Sequence, residues 1–147
     1  MTQAKQKVFS LLKIRFRSEK ELYDKLKQKK FPDEVIVETI VYFKKNGLID
    51  DKQFAQKWIA ARMARPFGIN RIRYELKNKG IADPVLQETL KEAFTGDAEE
   101  AIVSQLAQKQ VAKYKNIDEE KKKERVYGFL LRRGFSQTSV LRAIKKL

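Results

Sequence analysis

One spacing recurs three times along this chain. Leu22 and Leu26 lead into Lys30-Phe31, then Val35-Ile36 and Ile40. Ile72 and Leu76 lead into Gly80-Ile81, then Val85-Leu86 and Leu90. Val126 and Leu130 lead into Gly134-Phe135, then Val140 and Ile144. Apolar side chains four apart lie on one face of a helix, so each copy describes helix, tight turn, helix. Self-similarity at a period of about fifty residues marks stacked helical units rather than a single globular core. Such arrays offer an extended surface to a large partner and seldom enclose a small-molecule pocket.

Local signals set the helices. Ser18-Glu19-Lys20-Glu21 has the form of a capping box, in which serine and glutamate each satisfy an amide at the helix start. Pro32 suits the start of the next helix, where its missing N–H has no partner to lose. That helix carries Val35, Ile36, Thr39, Ile40 and Phe43 and stops at Asn46-Gly47, a left-handed C-cap pair. Asp50 or Asp51 then caps a third helix with Phe54, Trp58 and Ala61 on one stripe. The second copy repeats this with helices over Arg71–Lys79, Pro84–Phe94 and from Glu99-Glu100 onward; the third supplies Glu119–Arg133 and Gln137–Lys146. The expected fold is all-α: three tandem three-helix repeats, the last showing two of its helices, stacked into an elongated, curved array. The expected boundaries are an N-terminal capping segment over residues 1–17 and repeats over 18–66, 67–115 and 116–147. Pro66 and Gly68 break the chain between the first two repeats, with Pro66 ending a helix and Gly68 allowing a sharp turn.

Charge bears on partners. Lys and Arg number 33 against 19 Asp and Glu, a net +14. Two stretches carry no acid at all, Lys52 to Tyr74 and Arg125 to Leu147. A field of that sign attracts polyanions, above all nucleic acid, although for any single lysine a solvated helix surface is the plainer account. With no Cys and no His, thiol nucleophiles, disulfides and Cys/His metal sites are excluded. Neither a signal peptide nor a membrane span is visible, so a cytoplasmic protein is expected.

Catalysis has no evident home. Adjacent acids such as Asp50-Asp51 and Glu99-Glu100 point about 100° apart on a helix and do not converge; at a helix start they complement the dipole. No Gly-rich phosphate loop is present, and no catalytic residue, metal or cofactor is expected. Tyr42, Phe43, Phe54 and Trp58 could stack bases, but their helical spacing matches a buried stripe, so core packing is the stronger account. Gly134 to Arg142 resembles a helix-turn-helix, with Arg142, Lys145 and Lys146 suited to phosphate. The same turn recurs in the first copy ahead of Asp33, Glu34 and Glu38, which phosphate would repel, so a shared structural repeat explains all three copies.

Three ordered motifs resemble the RecX family, small regulators of the RecA recombinase. They are Leu12-x-x-Arg15-x-Arg17-Ser18-x-x-Glu21-Leu22-x-x-x-Leu26, Gly47-Leu48-Ile49-Asp50-Asp51-x-x-Phe54-Ala55-x-x-Trp58-x-x-x-Arg62, and Gly68-x-x-Arg71-Ile72-x-x-Glu75-Leu76-x-x-Lys79-Gly80-Ile81. Arg133-Gly134-Phe135 adds to the likeness. Lys30 departs from it, standing where the family tends to have Gly. The resemblance implies a non-enzymatic, monomeric protein that binds the RecA–single-stranded DNA filament, suppresses its ATPase and strand exchange, and binds DNA alone modestly. The alternative is a helical-repeat protein that binds DNA or RNA directly. The candidate contact residues, chosen from the acid-free blocks and from motif positions Arg62 and Arg71, are Arg62, Arg65, Arg71, Arg73 and Lys77, with Arg132, Arg133 and Arg142 as a second group.

Overall fold

The structure, a computed structural model, describes residues 2–65, 67–94 and 98–147. Among these residues there are nine α-helices and no strand: α1 (Gln3–Ile14), α2 (Glu19–Gln28), α3 (Asp33–Lys45), α4 (Asp51–Met63), α5 (Ile69–Asn78), α6 (Asp83–Ala93), α7 (Ala98–Ala112), α8 (Glu119–Arg132) and α9 (Gln137–Lys145). The all-α expectation is met. No helix among the described residues is long and apolar enough to cross a membrane.

The residues pack into two compact units. One holds the chain up to Trp58 with Leu76–Thr89; the other holds Ile59–Glu75 and the described residues from Leu90 onward. In the first unit, α1, α2 and α3 share a core in which Ala4, Val8 and Leu11 are buried with Leu22, Leu26, Ile36, Ile40 and Phe43. Segment 1–17 therefore holds a full helix whose apolar face belongs to that core. In the second unit α7 joins α8 and α9, with Val103 and Ala107 buried beside Val126, Leu130, Phe135, Val140 and Ala143. The last group thus has three helices, not two. Leu22, Leu26, Ile72, Leu76, Val126 and Leu130, the apolar residues that open each copy of the repeat, are all fully buried.

The helix starts follow their sequence signals, with one exchange of roles. The Ser18 hydroxyl accepts from the Glu21 amide at 3.2 Å while Glu21 Oε1 accepts from the Ser18 amide at 3.2 Å, completing the capping box. Asp50 caps α4, accepting from the amides of Lys52 and Gln53 at 3.0 and 3.2 Å. Asp51 instead reaches across the chain and accepts from the Glu19 amide at 2.9 Å, at the start of α2. Burial pushes the Asp51 carboxyl up from its ordinary range, and the Glu19 amide offsets only part of this.

Each repeat turns its helix pair through one residue with positive φ: Lys30 at 65°, Gly80 at 81° and Gly134 at 88°. Glycine is the residue at ease in this region, because any Cβ crowds the backbone there. At Gly80 a Cβ would also lie 2.5 Å from the Lys20 Cβ. Lys30 is exposed, so it carries the backbone strain without such crowding. Lys30→Gly is accordingly expected to raise stability by about 0.5 kcal/mol, the relief of αL strain less the added chain entropy of glycine. Urea unfolding followed by circular dichroism would measure it; a loss of stability would contradict the assignment.

Two further expectations change. Gly68 does not have positive φ; its missing side chain serves a close approach, since a Cβ there would overlap the Phe135 and Gly134 backbone. Pro66 lies outside the described residues. Among the four aromatics considered for stacking, Phe43 and Phe54 are core residues as expected, whereas Tyr42 is 39% exposed.

Candidate functional site

Three of the basic residues singled out from the sequence meet. Arg62 lies at the end of α4, Arg71 in the first turns of α5, and Arg133 caps the C-terminus of α8. Their guanidiniums gather around the ring of Phe67, at 5.2, 4.0 and 5.6 Å from its centroid respectively. Arg133 also lies 5.0 Å from the Phe129 ring. A guanidinium within about 6 Å of an aromatic face is attracted to the ring's negative quadrupole. Phe67 thereby lets like charges approach one another.

Glu75 answers two of the three. Its carboxylate accepts from Arg62 Nε at 2.9 Å and pairs with Arg71 Nε at 3.7 Å, one helical turn away along α5. The Arg62 side chain is only a quarter exposed and that of Glu75 less, so this pair is partly withdrawn from water. Arg71, 42% exposed, presents more of itself to solvent. Arg62 is therefore as much a structural residue as a candidate contact.

The backbone that carries Phe67 is pinned on both sides. The Gly68 amide donates to the Arg133 carbonyl and the Asn70 amide to the Gly134 carbonyl, each at 2.9 Å. These carbonyls are orphans of the α8 C-terminus, and the amides are orphans of the α5 N-terminus, so one docking satisfies both sets. The Ile69 amide between them donates to Glu99 Oε2 at 3.2 Å. The other Glu99 oxygen accepts from the Ser136 amide at 3.0 Å and from its hydroxyl at 2.6 Å. Expected as a cap for its own helix, Glu99 instead ties the starts of α5 and α9 together from α7. It is 9% exposed.

The remaining candidates are dispersed. Arg73 donates to Asn70 Oδ1 at 2.9 Å. Arg142, on the last turn of α9, and Lys146, its C-cap, pair with Glu100 at 3.5 and 3.6 Å. Arg65, just past α4, and Arg132, at the end of α8, are exposed. Lys77 is also exposed and belongs to the first compact unit. Sequence reading missed Phe67 and Glu75 as members of the arginine cluster. Glu75 had a signal, its i,i+4 spacing from Arg71; Phe67 lies outside the helices, so its nearness to Arg62 and Arg71 in sequence fixed no contact, and Arg133 is brought to it from α8.

The motif residues turn out to be partners of one another. Glu21 pairs with Arg15 and, at 3.4 Å, with Lys79. The Ser18 hydroxyl donates to the Lys79 carbonyl at 2.7 Å, and Lys79 Nζ lies 5.3 Å from the Trp58 ring. Burial alone would push the Glu21 carboxyl up, but the Arg15 and Ser18 hydrogen bonds and the Lys79 charge outweigh it and hold it below its ordinary range.

Known proteins share this helical fold. Residues 4–43, 50–90 and 98–144 match, in order, the first, second and third three-helix domains of RecX. A regulatory protein RecX of Amycolatopsis mediterranei is 31% identical over 97% of this chain and 82% of its own length. One from Chlorobium phaeobacteroides is 33% identical over 93% of this chain and 88% of its own. The chain spans a smaller share, 62%, of a Clostridium perfringens relative of the same name. Among solved structures, RecX from Lactobacillus salivarius superposes with a TM-score of 0.91 at 25% identity, over 99% of this chain and 94% of that one. With three consecutive domain matches, relatives above 30% identity along nearly the whole chain and the same fold, the chain belongs to the RecX family of regulatory proteins.

Proposed function

We propose that this protein binds the RecA–single-stranded DNA filament in the cytoplasm as a monomer and restrains its ATP hydrolysis and strand exchange. It acts by contact, without chemistry of its own. The observation that carries this reading, beside family membership, is the arginine cluster on Phe67. Its named members hold three positive charges against the single negative charge of Glu75, fixed on a backbone that is hydrogen-bonded on both sides. A prearranged set of guanidiniums suits carboxylate or phosphate, since each offers a planar fork of donors whose ordering is already complete before binding. Arg65, Arg73 and Lys77, with Arg132 and Arg142, are the further basic residues we assign to the contact; a net +14 speeds the encounter with an anionic filament.

The test is single-stranded-DNA-dependent ATP hydrolysis by a RecA filament as the protein is titrated in. Its binding to the same naked DNA would be followed by anisotropy in parallel. Inhibition at concentrations too low to coat the DNA is expected. The double variant Arg71→Gln/Arg133→Gln removes the charges while keeping an unbranched polar side chain, and is expected to need about tenfold more protein for half-inhibition, on the order of 1.4 kcal/mol from two charge-assisted contacts. An unchanged half-inhibition point in a folded double variant would remove the cluster from the interface. Inhibition only once naked DNA is saturated would favour direct nucleic-acid binding, which should also weaken steeply with salt as counterions are released.

A further inference from the structure

The exposed apolar residues are concentrated away from the arginine cluster in sequence. Of eight large hydrophobic side chains left exposed among the described residues, six lie in α1, α3 or the turn after α3: Phe9, Ile14, Val37, Val41, Tyr42 and Leu48. Single exposed hydrophobics are ordinary, whereas a grouping of them marks an interaction surface. Within the first unit, Phe9, Leu12, Phe43 and Leu48 line a cleft of about 190 Å³, room for roughly one large apolar side chain. The Phe9 ring meets Phe43 edge-on at 5.9 Å, which holds the floor of the cleft in place.

The one charged residue among those lining the cleft is a cation. Lys13 lines the cleft, with its ammonium 6.0 Å from the Phe9 ring. Lys5, about two turns before Lys13 on α1, sits 3.7 Å over the Tyr42 ring. The sequence of α1, QAKQKVFSLLKI, has three lysines and no acid. Lys44 and Lys45 close the last turn of α3, Lys44 being paired with Glu19 at 3.3 Å. An apolar slot edged by Lys13, on a helix with three lysines and no acid, selects an apolar anchor flanked by carboxylates.

We propose that the cleft between α1 and the end of α3 docks an acidic segment of a partner protein, which inserts one leucine or phenylalanine between Phe9 and Leu48 with its flanking Asp or Glu residues beside Lys13. This surface is independent of the Phe67 cluster: its residues all belong to the first compact unit, and those of the cluster to the second.

The test uses the full chain and a fluorescein-labelled peptide, Glu-Asp-Glu-Leu-Phe-Glu-Asp-Glu, titrated by anisotropy at physiological salt, where long-range attraction is screened. Saturable binding is expected. Leu48→Ser, Lys13→Glu, or replacing the peptide's Leu-Phe by Ala-Ala should each weaken it by about fivefold or more, the scale of losing part of a buried apolar side chain. Leu48 and Lys13 are exposed, so circular dichroism of both variants should match the parent. Binding that ignores both Leu48 and the peptide anchor would reduce the effect to charge attraction and overturn the proposal; absence of saturable binding would overturn it too. Concentration-dependent self-association abolished by Leu48→Ser would overturn it in favour of a second copy of this chain as the occupant.

Discussion

Gly134→Ala is expected to destabilise the protein by about 2–4 kcal/mol, through αL strain and overpacking together. At φ 88° alanine pays a backbone penalty wherever the residue sits. Here the added Cβ would also stand 2.6 Å from the Arg71 amide nitrogen, and that strand of backbone cannot retreat. It is held by the Asn70 bond to Gly134 and the Gly68 bond to Arg133, so moving it breaks the docking of α5 on the α8–α9 turn. Gly47→Ala is the control: it shares the positive φ, at 70°, but a Cβ there meets nothing within 4 Å. It should cost about 1 kcal/mol, the strain alone. Equal losses in the two variants, measured by urea unfolding, would show that crowding at Gly134 contributes nothing.

Glu99→Ala is expected to cost about 2–3 kcal/mol, because it removes charge-assisted hydrogen bonds and leaves half-buried amides unpaired. Two amides, of Ile69 and Ser136, lose their acceptor at once, and the Ser136 hydroxyl is left with Ser139 Oγ alone, at 3.0 Å. The first starts α5 and the other two lie at the N-cap of α9, so the loss reaches both helices. Glu99→Gln keeps an acceptor oxygen and should recover part of the stability. Amide hydrogen exchange provides the sharper reading, with faster exchange expected at the first turns of both α5 and α9 in Glu99→Ala. Faster exchange confined to α7 would mean that Glu99 serves only its own helix. The same substitution leaves Arg71 and Arg133 in place chemically but loosens the segment that carries Phe67, so it should also raise the protein concentration needed to restrain the filament.

How much of this could be read from residues alone depends on the distance over which each signal acts. The helices could be read almost to their ends, because apolar spacing, capping boxes and glycine C-caps operate within one or two turns. The three copies of the leucine pattern revealed the repeat for the same reason. Its phase could not be read: a string of helices in groups of three has the same period wherever the group begins. Burial decided it, by placing Val8 with Leu26 and Val103 with Leu130.

The site divides along the same line. Charge counting marked Arg62, Arg71 and Arg133 as candidates, and the spacing of Arg71 from Glu75 was a local signal for one ion pair. Nothing local told that Phe67 would join the three arginines, or that Arg62 would be drawn inward while Arg71 stayed exposed. Asp51 and Glu99 show the limit most plainly. Each lies at a helix start, where an acid is explained by its own helix dipole; each instead caps a helix that begins about thirty residues earlier, and Glu99 one that begins about forty residues later as well. By itself the sequence determined the helical content, the period, the turns and the basic character of this protein, all set by interactions between near neighbours. The tertiary structure alone decided the grouping of helices, the gathering of arginines on Phe67 and the partners of the buried acids. Those depend on which surfaces meet when the chain packs, and residues dozens of positions apart carry no local trace of that meeting.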